Sequence, residues 1–328
     1  MNIFITSAET GPKAWTGFYQ HLLKLEKISR NKRHRLIDDP EKADFILITD
    51  SRDDDDFRAL RIHPLLRQYP NKTFTIFEAD YPLRFVPGIY TSMPDSWLNL
   101  GRFRPGTYSY CHSRCGNPVE RMSAKPRTGE LFFSFLGRES HKMRGQLFRH
   151  DFRRSDVLIE NTSDFNYFKP CQPDREAFTN RYLDTCLKSR FVLCPRGQGT
   201  SSIRLFEIMQ MGLVPVIISD QWIPPVGPDW ESFSIRVKEN QIHQLPDILA
   251  RYEDRWREMG DLARKNWEEW FQLEDEFDYL VDRLVEIKNN RWIDERIMRL
   301  LWPIILLKLY VRRRLSPLKR GLMKLGGR

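Results

Sequence analysis

Short apolar runs alternate with amphipathic stretches along most of the chain. In the first third, NIFIT, ADFILITD and KTFTIFEAD are short, continuous and rich in β-branched or aromatic residues, which predicts buried strands. Between the first two, GFYQHLLKLEKI places Phe18, Leu22, Leu25 and Ile28 near helical spacing. This alternation of strand and helix predicts a parallel α/β sheet over roughly the first 120 residues.

The alternation restarts after SAKPRTG at residues 123–129, a polar stretch that we interpret as a linker. The strands predicted beyond it are ELFFSFLG, DVLIE, RFVLC, LVPVIIS and FSIRV, followed by a long helix at residues 244–271. We therefore expect an α/β protein with two Rossmann-like domains facing across a cleft, at residues 1–126 and 127–285. Residues 286–328 are predicted to form a basic amphipathic C-terminal helical tail.

The formal net charge of +9 on 328 residues indicates an acidic partner, such as nucleic acid, anionic lipid or a phosphorylated small molecule. The charge is unevenly placed, because residues 312–328 contain seven Lys or Arg and no Asp or Glu. Basic residues clustered at one end, without an RRM, KH or zinc module, argue against nucleic acid.

The five cysteines are odd in number, and only Cys111 and Cys115 lie close together, so we expect a reducing compartment rather than a disulfide framework. CHSRC, with His112 between those two, lacks a second ligand pair at finger spacing, and we expect no metal site. The N-terminal run lacks the features of a signal peptide, and the longest apolar run, residues 300–310, is about half a membrane span. These features predict a cytoplasmic protein without a transmembrane helix.

The segment LCPRGQGTSSIRLFEIMQMGLVPVIISD, residues 193–220, predicts a strand, a glycine-containing turn, a helix and a second strand. Ligands on parallel sheets bind outside the carboxyl ends of the strands, where this turn lies. Gly197 and Gly199 are expected to let the backbone approach a ligand closely and to adopt positive φ. The turn therefore suits a phosphate group.

Hydroxyl and charged side chains strengthen this interpretation. At the start of the predicted helix, N–H groups and hydroxyls of Thr200, Ser201 and Ser202 can point at an anion. Arg196 adds a charged donor. The alternative is a simple helix N-cap beside a surface arginine.

The helix itself carries one narrow polar stripe, formed by Arg204, Glu207 and Gln210. A helix that is apolar on most sides is buried, and a buried carboxylate needs a partner. One interpretation is an ion pair between Arg204 and Glu207. The other is that Glu207 accepts hydrogen bonds from ribose hydroxyls.

A phosphate loop followed by a ribose carboxylate indicates a nucleotide, although the chain has neither a dinucleotide-binding fingerprint nor a P-loop. Four short motifs follow one another: PRG, the S-x-R-φ-φ-E of SIRLFE, the G-x-x-P-V of GLVPV, and the D-x-W of DQW. Together with LFFSFLGRESHKMRGQL and FEADYPLRFVPGIYTS, they resemble the exostosin family of glycosyltransferases, which have a GT-B fold. The resemblance is dense over residues 131–250, thin before them and absent from the tail.

The resemblance implies inverting, metal-independent transfer of a sugar from a nucleotide donor, usually a UDP-sugar, without a cofactor. Residues 127–285 would bind the donor, and residues 1–126 the acceptor, a glycan or lipid-linked glycan. The donor-binding residues that it implies are Arg138, Arg144, Arg196, Gly197, Ser201, Ser202, Arg204, Glu207, Asp220 and Trp222.

Roles within that set also follow from the resemblance. Glu207 would bind the ribose, Arg196 with the two serines the diphosphate, and Arg138 and Arg144 would add a second cationic contact. Asp220 and Trp222 would border the donor sugar. Some relatives carry two acids before the tryptophan where this chain has one, which leaves the role of Asp220 open.

An inverting transfer needs a base that deprotonates the acceptor hydroxyl. Asp80, directly after a predicted strand, and Asp95 are our candidates, and ordinary turn or capping aspartates are the alternative. The acidic run at residues 53–56 invites comparison with the metal-binding DxD of GT-A enzymes, but it leads directly into a helical pattern and is better explained as a helix start.

Two questions stay open at this level. The tail can pack on the N-terminal domain, or it can lie on an anionic membrane through Trp302, Ile304, Ile305, Leu306 and Leu309 with the basic residues Arg312, Arg313, Arg314, Lys319 and Arg320. We favour a peripheral membrane enzyme on the cytoplasmic side. The alternatives are a catalytically inactive partner protein that binds a sugar nucleotide, and a basic nucleic-acid-binding protein.

Overall fold

Two parallel sheets organise the chain. The structure, a computed structural model, describes residues 1–9, 17–50, 57–80, 85–95, 99–122, 126–166, 174–308 and 310–311. The first sheet has the strand order β2-β1-β3-β4-β5-β6, and the second has the order β11-β10-β9-β7-β8. The predicted two-sheet α/β architecture is confirmed.

The strands, numbered in chain order, are β1 Asn2–Ser7, β2 Arg35–Leu36, β3 Phe45–Thr49, β4 Thr73–Phe77, β5 Gly88–Tyr90, β6 Phe103–Pro105, β7 Leu131–Gly137, β8 Val157–Asn161, β9 Ser189–Pro195, β10 Val214–Ile218 and β11 Ile235–Val237. The helices are α1 Phe18–Ile28, α2 Arg58–Ile62, α3 Pro64–Gln68, α4 Ser109–Cys115, α5 Lys142–Arg149, α6 Arg175–Lys188, α7 Ile203–Gln210, α8 Trp230–Phe233, α9 Leu245–Ala250, α10 Trp256–Trp270, α11 Leu273–Asn290 and α12 Glu295–Leu300.

The first sheet follows the predicted apolar runs closely. All five residues of β3 are buried, as expected for a central strand covered on both faces. The helical segment predicted after residue 56 is divided into α2 and α3, because Pro64 disfavours the helical conformation of His63 before it. The acidic run at residues 53–56 lies outside the described residues.

The second sheet contains the unit β9–α7–β10 that the sequence predicted. β9 and β10 are paired in parallel from Phe191 opposite Val214 to Pro195 opposite Ile218. The long helix expected at residues 244–271 is instead divided into α9 and α10.

The chain returns to the first sheet after α10. Helix α11, which begins inside the range predicted for the second domain, packs on α1 and β5 of the first. The backbone N–H of Arg30 donates to the carbonyl of Glu274, at 2.9 Å. The domain limits at residues 126 and 285 remain predictions.

The two halves meet at the carboxyl ends of their strands. Asp80 follows β4, and its Oδ1 accepts the N–H of Gly199, after β9, at 3.2 Å. A Cβ on Gly199 would lie 2.1 Å from Oγ of Ser92, which follows β5, so no larger residue fits there. Pro94 also forms an antiparallel bridge with Trp222. None of the described helices is long and apolar enough to cross a bilayer.

Candidate functional site

The second sheet changes the direction of its strand order between β7 and β9, and this defines where a ligand fits. β7 is paired with both β8 and β9, so the segments after β7 and β9 emerge side by side at one edge. Such a switch point is where parallel sheets bind ligands. It brings together the segment that starts at Arg138 and the segment that starts at Arg196.

Arg144 joins these two segments. Its guanidinium donates to three backbone carbonyls: Arg196 at 2.9 Å, Pro195 at 2.8 Å and Arg138 at 3.2 Å. Burial lowers the pKa of Arg144 to about 9, and the charge of Arg204 acts in the same direction. Arg144 therefore positions the loop and brings a positive charge beneath it.

Several donors in this loop are buried and, among the described residues, have no hydrogen-bond partner. They are Nε of Arg196, Oγ of Ser201 and Nε of Arg204. Leaving a buried polar group unsatisfied costs about 1–3 kcal/mol, so native proteins avoid it unless the site serves another purpose. Three such donors within nine residues of one loop suit an anionic ligand with several acceptor oxygens.

Arg204 lies on the first turn of α7 and is partly buried. Its guanidinium donates to the carbonyl of Leu136 and lies over two aromatic rings, 4.6 Å from the centre of Phe135 and 5.5 Å from that of Tyr182. The ion pair with Glu207 that the sequence allowed is not formed. Arg204 instead points at the end of β7, towards the switch point.

Glu207 is held by two side chains from other elements. Its Oε2 accepts the hydroxyl of Tyr182 at 2.6 Å, and its Oε1 lies 3.4 Å from Nε2 of His112. Burial favours the neutral carboxyl, but His112, Tyr182 and the charge of Arg204 outweigh it and hold the pKa of Glu207 below its usual range. Glu207 is 6% exposed, so it is an ionised acceptor with little access to solvent.

Arg196 extends from the loop towards the outer edge of the sheet. Its Nη1 lies 3.6 Å from the Glu239 carboxylate, and Glu239 also exchanges backbone–side-chain hydrogen bonds with Asp220. Asp220 and Arg138 are both exposed. Arg196 therefore has a carboxylate partner for Nη1, while its Nε has none within the described ranges.

The glycines of the loop are needed because a side chain would not fit there, and not because the backbone has a positive φ. Gly197 and Gly199 do not have positive φ, so that part of the prediction is wrong; Gly212, at the end of α7, does, with φ of 70°. A Cβ on Gly197 would lie 3.3 Å from Oγ of Ser140, a tight approach. Close packing of the loop explains why both positions favour glycine.

Two further predicted residues lie where the halves touch. Trp222 is buried, and its ring packs edge-on against Trp230 with centroids 5.0 Å apart. Asp95 is exposed, and its backbone N–H donates to the carbonyl of Gln221 at 3.1 Å. Ser202 is the N-cap of α7 but makes no side-chain capping bond.

Asp80 is the candidate base that lies directly at the loop. Partial desolvation raises the pKa of Asp80, which is otherwise exposed, while the Gly199 N–H and the charge of Arg144 partly oppose this rise. The structure therefore brings Asp80, Arg144, Arg204 and Ser201 to one place in the cleft.

A cavity of about 350 Å³ lies beside Glu207, and its lining includes the partner His112. Aromatic rings of Tyr108, Phe206, Trp267 and Phe271 alternate in its wall with side chains that hydrogen-bond, among them Asn117 and Gln210. Rings for stacking together with amides for hydrogen bonding suit a hydroxyl-rich ligand. Among the described residues, no group of three His, Cys, Asp or Glu side chains is placed to hold a metal ion.

Sequence reasoning missed the two residues that hold Glu207. His112 was considered only as part of a possible zinc motif, and Tyr182 was not considered. They lie 95 and 25 positions from Glu207 along the chain, and no local spacing predicts such contacts.

Comparison with known proteins shows which family domain this chain resembles. The profile of the exostosin GT47 domain matches residues 101–252, which include the loop, α7 and most of the cavity wall. Residues 101–252, 152 of the 328 residues, are therefore similar to the exostosin GT47 domain.

Two exostosin proteins show the extent of the similarity. The exostosin-1 homolog of Caenorhabditis elegans is 34% identical over 136 residues, which are 38% of this chain and 36% of that protein. Exostosin-1 of Drosophila melanogaster is 31% identical over 129 residues, 37% of this chain and 17% of that protein. The chain therefore matches only a part of these longer relatives. A solved α1,3-fucosyltransferase aligns over 88% of this chain and 90% of its own, with a TM-score of 0.44 and 11% identity.

Proposed function

We propose that this protein, whose residues 101–252 resemble the exostosin GT47 domain, transfers a sugar from a nucleotide donor, a UDP-sugar, to a glycan or lipid-linked glycan acceptor. The transfer inverts the anomeric configuration and uses no metal ion. The donor diphosphate lies at the switch point between β7 and β9. Ser201, Arg196 and Arg204 bind it there, and Glu207 binds the ribose.

The observation that carries this proposal is the set of buried donors at residues 196–204 that have no partner among the residues the structure describes. A diphosphate offers several acceptor oxygens and two or more negative charges, which would satisfy these donors together. The partly buried guanidinium groups of Arg144 and Arg204 would stabilise the charge that develops on the leaving diphosphate. Positive charge of this kind replaces what a metal ion supplies in other transferases.

The second half of the cleft supplies the base in this proposal. The raised pKa of Asp80 brings it nearer to neutrality, where a general base works best. Asp95 is the other candidate, on the rim of the same cleft. The acceptor approaches from the side of the first sheet, and the cytoplasmic location belongs to the same proposal.

A pair of matched serine variants tests the diphosphate site. Ser201→Ala removes a buried hydroxyl that has no partner among the described residues, so stability should not fall, while the dissociation constant of UDP should rise about threefold to tenfold. Ser134→Ala is the control, because its buried hydroxyl accepts from Ser189 at 2.7 Å inside the sheet. It should lower stability by about 1 kcal/mol and leave UDP affinity unchanged.

Calorimetric titration with UDP and a denaturant series on both variants give the two readouts. If UDP bound both variants and the wild type equally, the loop would not be the diphosphate site. Release of UDP from a UDP-sugar in the presence of glycan-lipid acceptors then separates an enzyme from an inactive binding partner. Binding of duplex or single-stranded nucleic acid with a steep dependence on salt would instead favour a nucleic-acid-binding protein.

A further inference from the structure

The C-terminal helical segment has two apolar faces, and the described part of the chain covers only one of them. After α12, residues 302–308 and 310–311 are also helical. Trp302 is buried and packs edge-on against Phe85 of the first domain, with ring centroids 5.5 Å apart. Ile305 and Leu306 pack on the same cluster. This face belongs to the core of the protein.

A buried ion pair fixes the segment in place. Glu295, the first residue of α12, accepts two hydrogen bonds from Arg102, both at 2.7 Å, and both side chains are almost fully buried. Arg291 lies 3.5 Å from the same carboxylate. Asp294 caps the helix by accepting the N–H of Arg296 at 2.7 Å. The segment therefore presents its other face in a fixed orientation.

The other face is a continuous apolar stripe. Its side chains recur every three or four residues and are between 41% and 76% exposed; they are Ile297, Leu300, Leu301, Ile304, Leu307 and Val311. Single exposed apolar residues are ordinary, but a row of six on one helical face indicates a surface that another apolar phase covers.

Charge identifies the kind of surface that fits. Residues 296–328 contain ten Lys or Arg and no Asp or Glu, so this segment carries +10 of formal charge, whereas residues 1–295 carry −1. Lys308 and Arg296 lie on the described part and are exposed. An apolar stripe flanked by positive charge is complementary to the interface of an anionic bilayer.

We infer that the described C-terminal residues 295–308 and 310–311 dock this protein on anionic phospholipid membranes, with the stripe Ile297, Leu300, Leu301, Ile304, Leu307 and Val311 entering the acyl boundary. A second copy of the chain is a poorer occupant, because pairing the stripes would bring two strongly basic segments together. Nucleic acid would match the charge but would leave the apolar side chains in water.

Vesicle sedimentation with the full-length protein tests this docking surface. Wild type should bind vesicles of phosphatidylcholine mixed with phosphatidylserine, and binding should weaken at high salt and in phosphatidylcholine alone. Leu307→Glu should weaken binding by about tenfold or more, since it replaces an inserted apolar side chain with a charge. Val226→Glu is the matched control, with the same charge change at another exposed aliphatic residue, and should bind like wild type.

A second variant tests the electrostatic part. Arg312→Gln, Arg313→Gln and Arg314→Gln, combined, should weaken binding to mixed vesicles by about tenfold or more and reduce its dependence on salt. Equal binding by Leu307→Glu and wild type would overturn the proposal. The proposal would also be overturned if wild type did not sediment with vesicles and instead formed a dimer that Leu307→Glu dissociates. Tight binding of nucleic acid by a wild type that does not sediment with vesicles would overturn it as well. Far-UV circular dichroism and melting temperatures confirm that the variants are folded.

Discussion

Two regions of this protein place an arginine close to a buried glutamate, and the two pairs of residues act differently. At the start of α12, Arg102 and Glu295 meet in a two-point ion pair whose hydrogen bonds are both 2.7 Å long. On α7, Arg204 and Glu207 are three residues apart but do not pair. Arg204 donates to the Leu136 carbonyl, and Glu207 binds Tyr182 and His112.

The difference separates a structural pair from a binding site. A buried charge whose opposite charge is in contact is satisfied within the protein, and its removal damages folding. In the α7 region Arg204 and Glu207 each bind partners other than one another, and Nε of Arg204 has no partner among the described residues. Such an arrangement leaves interaction capacity for a ligand that carries both hydroxyls and negative charge.

Replacing each arginine with methionine tests the comparison directly and should give the largest effects. Arg102→Met leaves Glu295 buried with only the more distant Arg291, and should lower the free energy of unfolding by about 3–5 kcal/mol without changing UDP affinity. Arg204→Met should cost less stability and weaken UDP binding roughly tenfold to a hundredfold. Urea unfolding and calorimetry measure the two quantities. If both variants lost the same stability and kept the UDP affinity of wild type, Arg204 would be a structural residue like Arg102 and not part of a binding site.

A third buried carboxylate, Glu276, sharpens the comparison through pH. Burial raises its pKa to about 7 from an ordinary value of 4.5, although Thr107 donates to it at 3.1 Å. Because the folded state then keeps a proton that the unfolded state releases, its contribution to stability is complete below about pH 4.5 and is lost as pH rises through 7.

Between about pH 4.5 and pH 7, the unfolding free energy of wild type should therefore fall by up to about 3 kcal/mol relative to that of Glu276→Gln. His21, whose pKa burial lowers to about 4, acts in the opposite direction but equally in both proteins, so it cancels. Urea titrations at several pH values provide the measurement. A difference independent of pH would show that Glu276 is ionised throughout.

The smallest effect is expected from the neutral partner of Glu207. Tyr182→Phe removes a 2.6 Å hydrogen bond to a buried carboxylate and should lower stability by about 1–3 kcal/mol. Tyr108→Phe, at a hydroxyl 3.4 Å from Oγ of Ser92, is the control and should cost less than about 1 kcal/mol. If the two variants were equally stable, Tyr182 would not be what keeps Glu207 satisfied.

The sequence predicted the parts of this arrangement that depend on local pattern. The runs around Phe45 and Val214 are buried strands, and the turn between β9 and α7 lies at the carboxyl edge of its sheet, because apolar continuity and parallel topology determine both. The motif around Arg204 and Glu207 likewise placed both residues on a single helix.

Contacts between distant segments could not be predicted. Whether Arg204 pairs with Glu207 depends on the positions that Tyr182 and His112 take in the folded protein. The return of α11 to the first sheet depends on buried contacts such as the hydrogen bond between Ser29 and Asp278, at 3.2 Å. Positive φ was assigned to Gly197 and Gly199 from residue type alone, whereas close packing against Ser140 and Ser92 explains both.

The return of α11 to the first sheet ties the two halves by two separate stretches of chain, one between β6 and β7 and one between α10 and α11. A body attached at two points can swing about the line joining them, but it cannot swivel freely. Opening of the cleft should therefore be a rotation about that single axis. When nucleotide dissociates, the distances between several pairs of spin labels on opposite rims of the cleft should all increase.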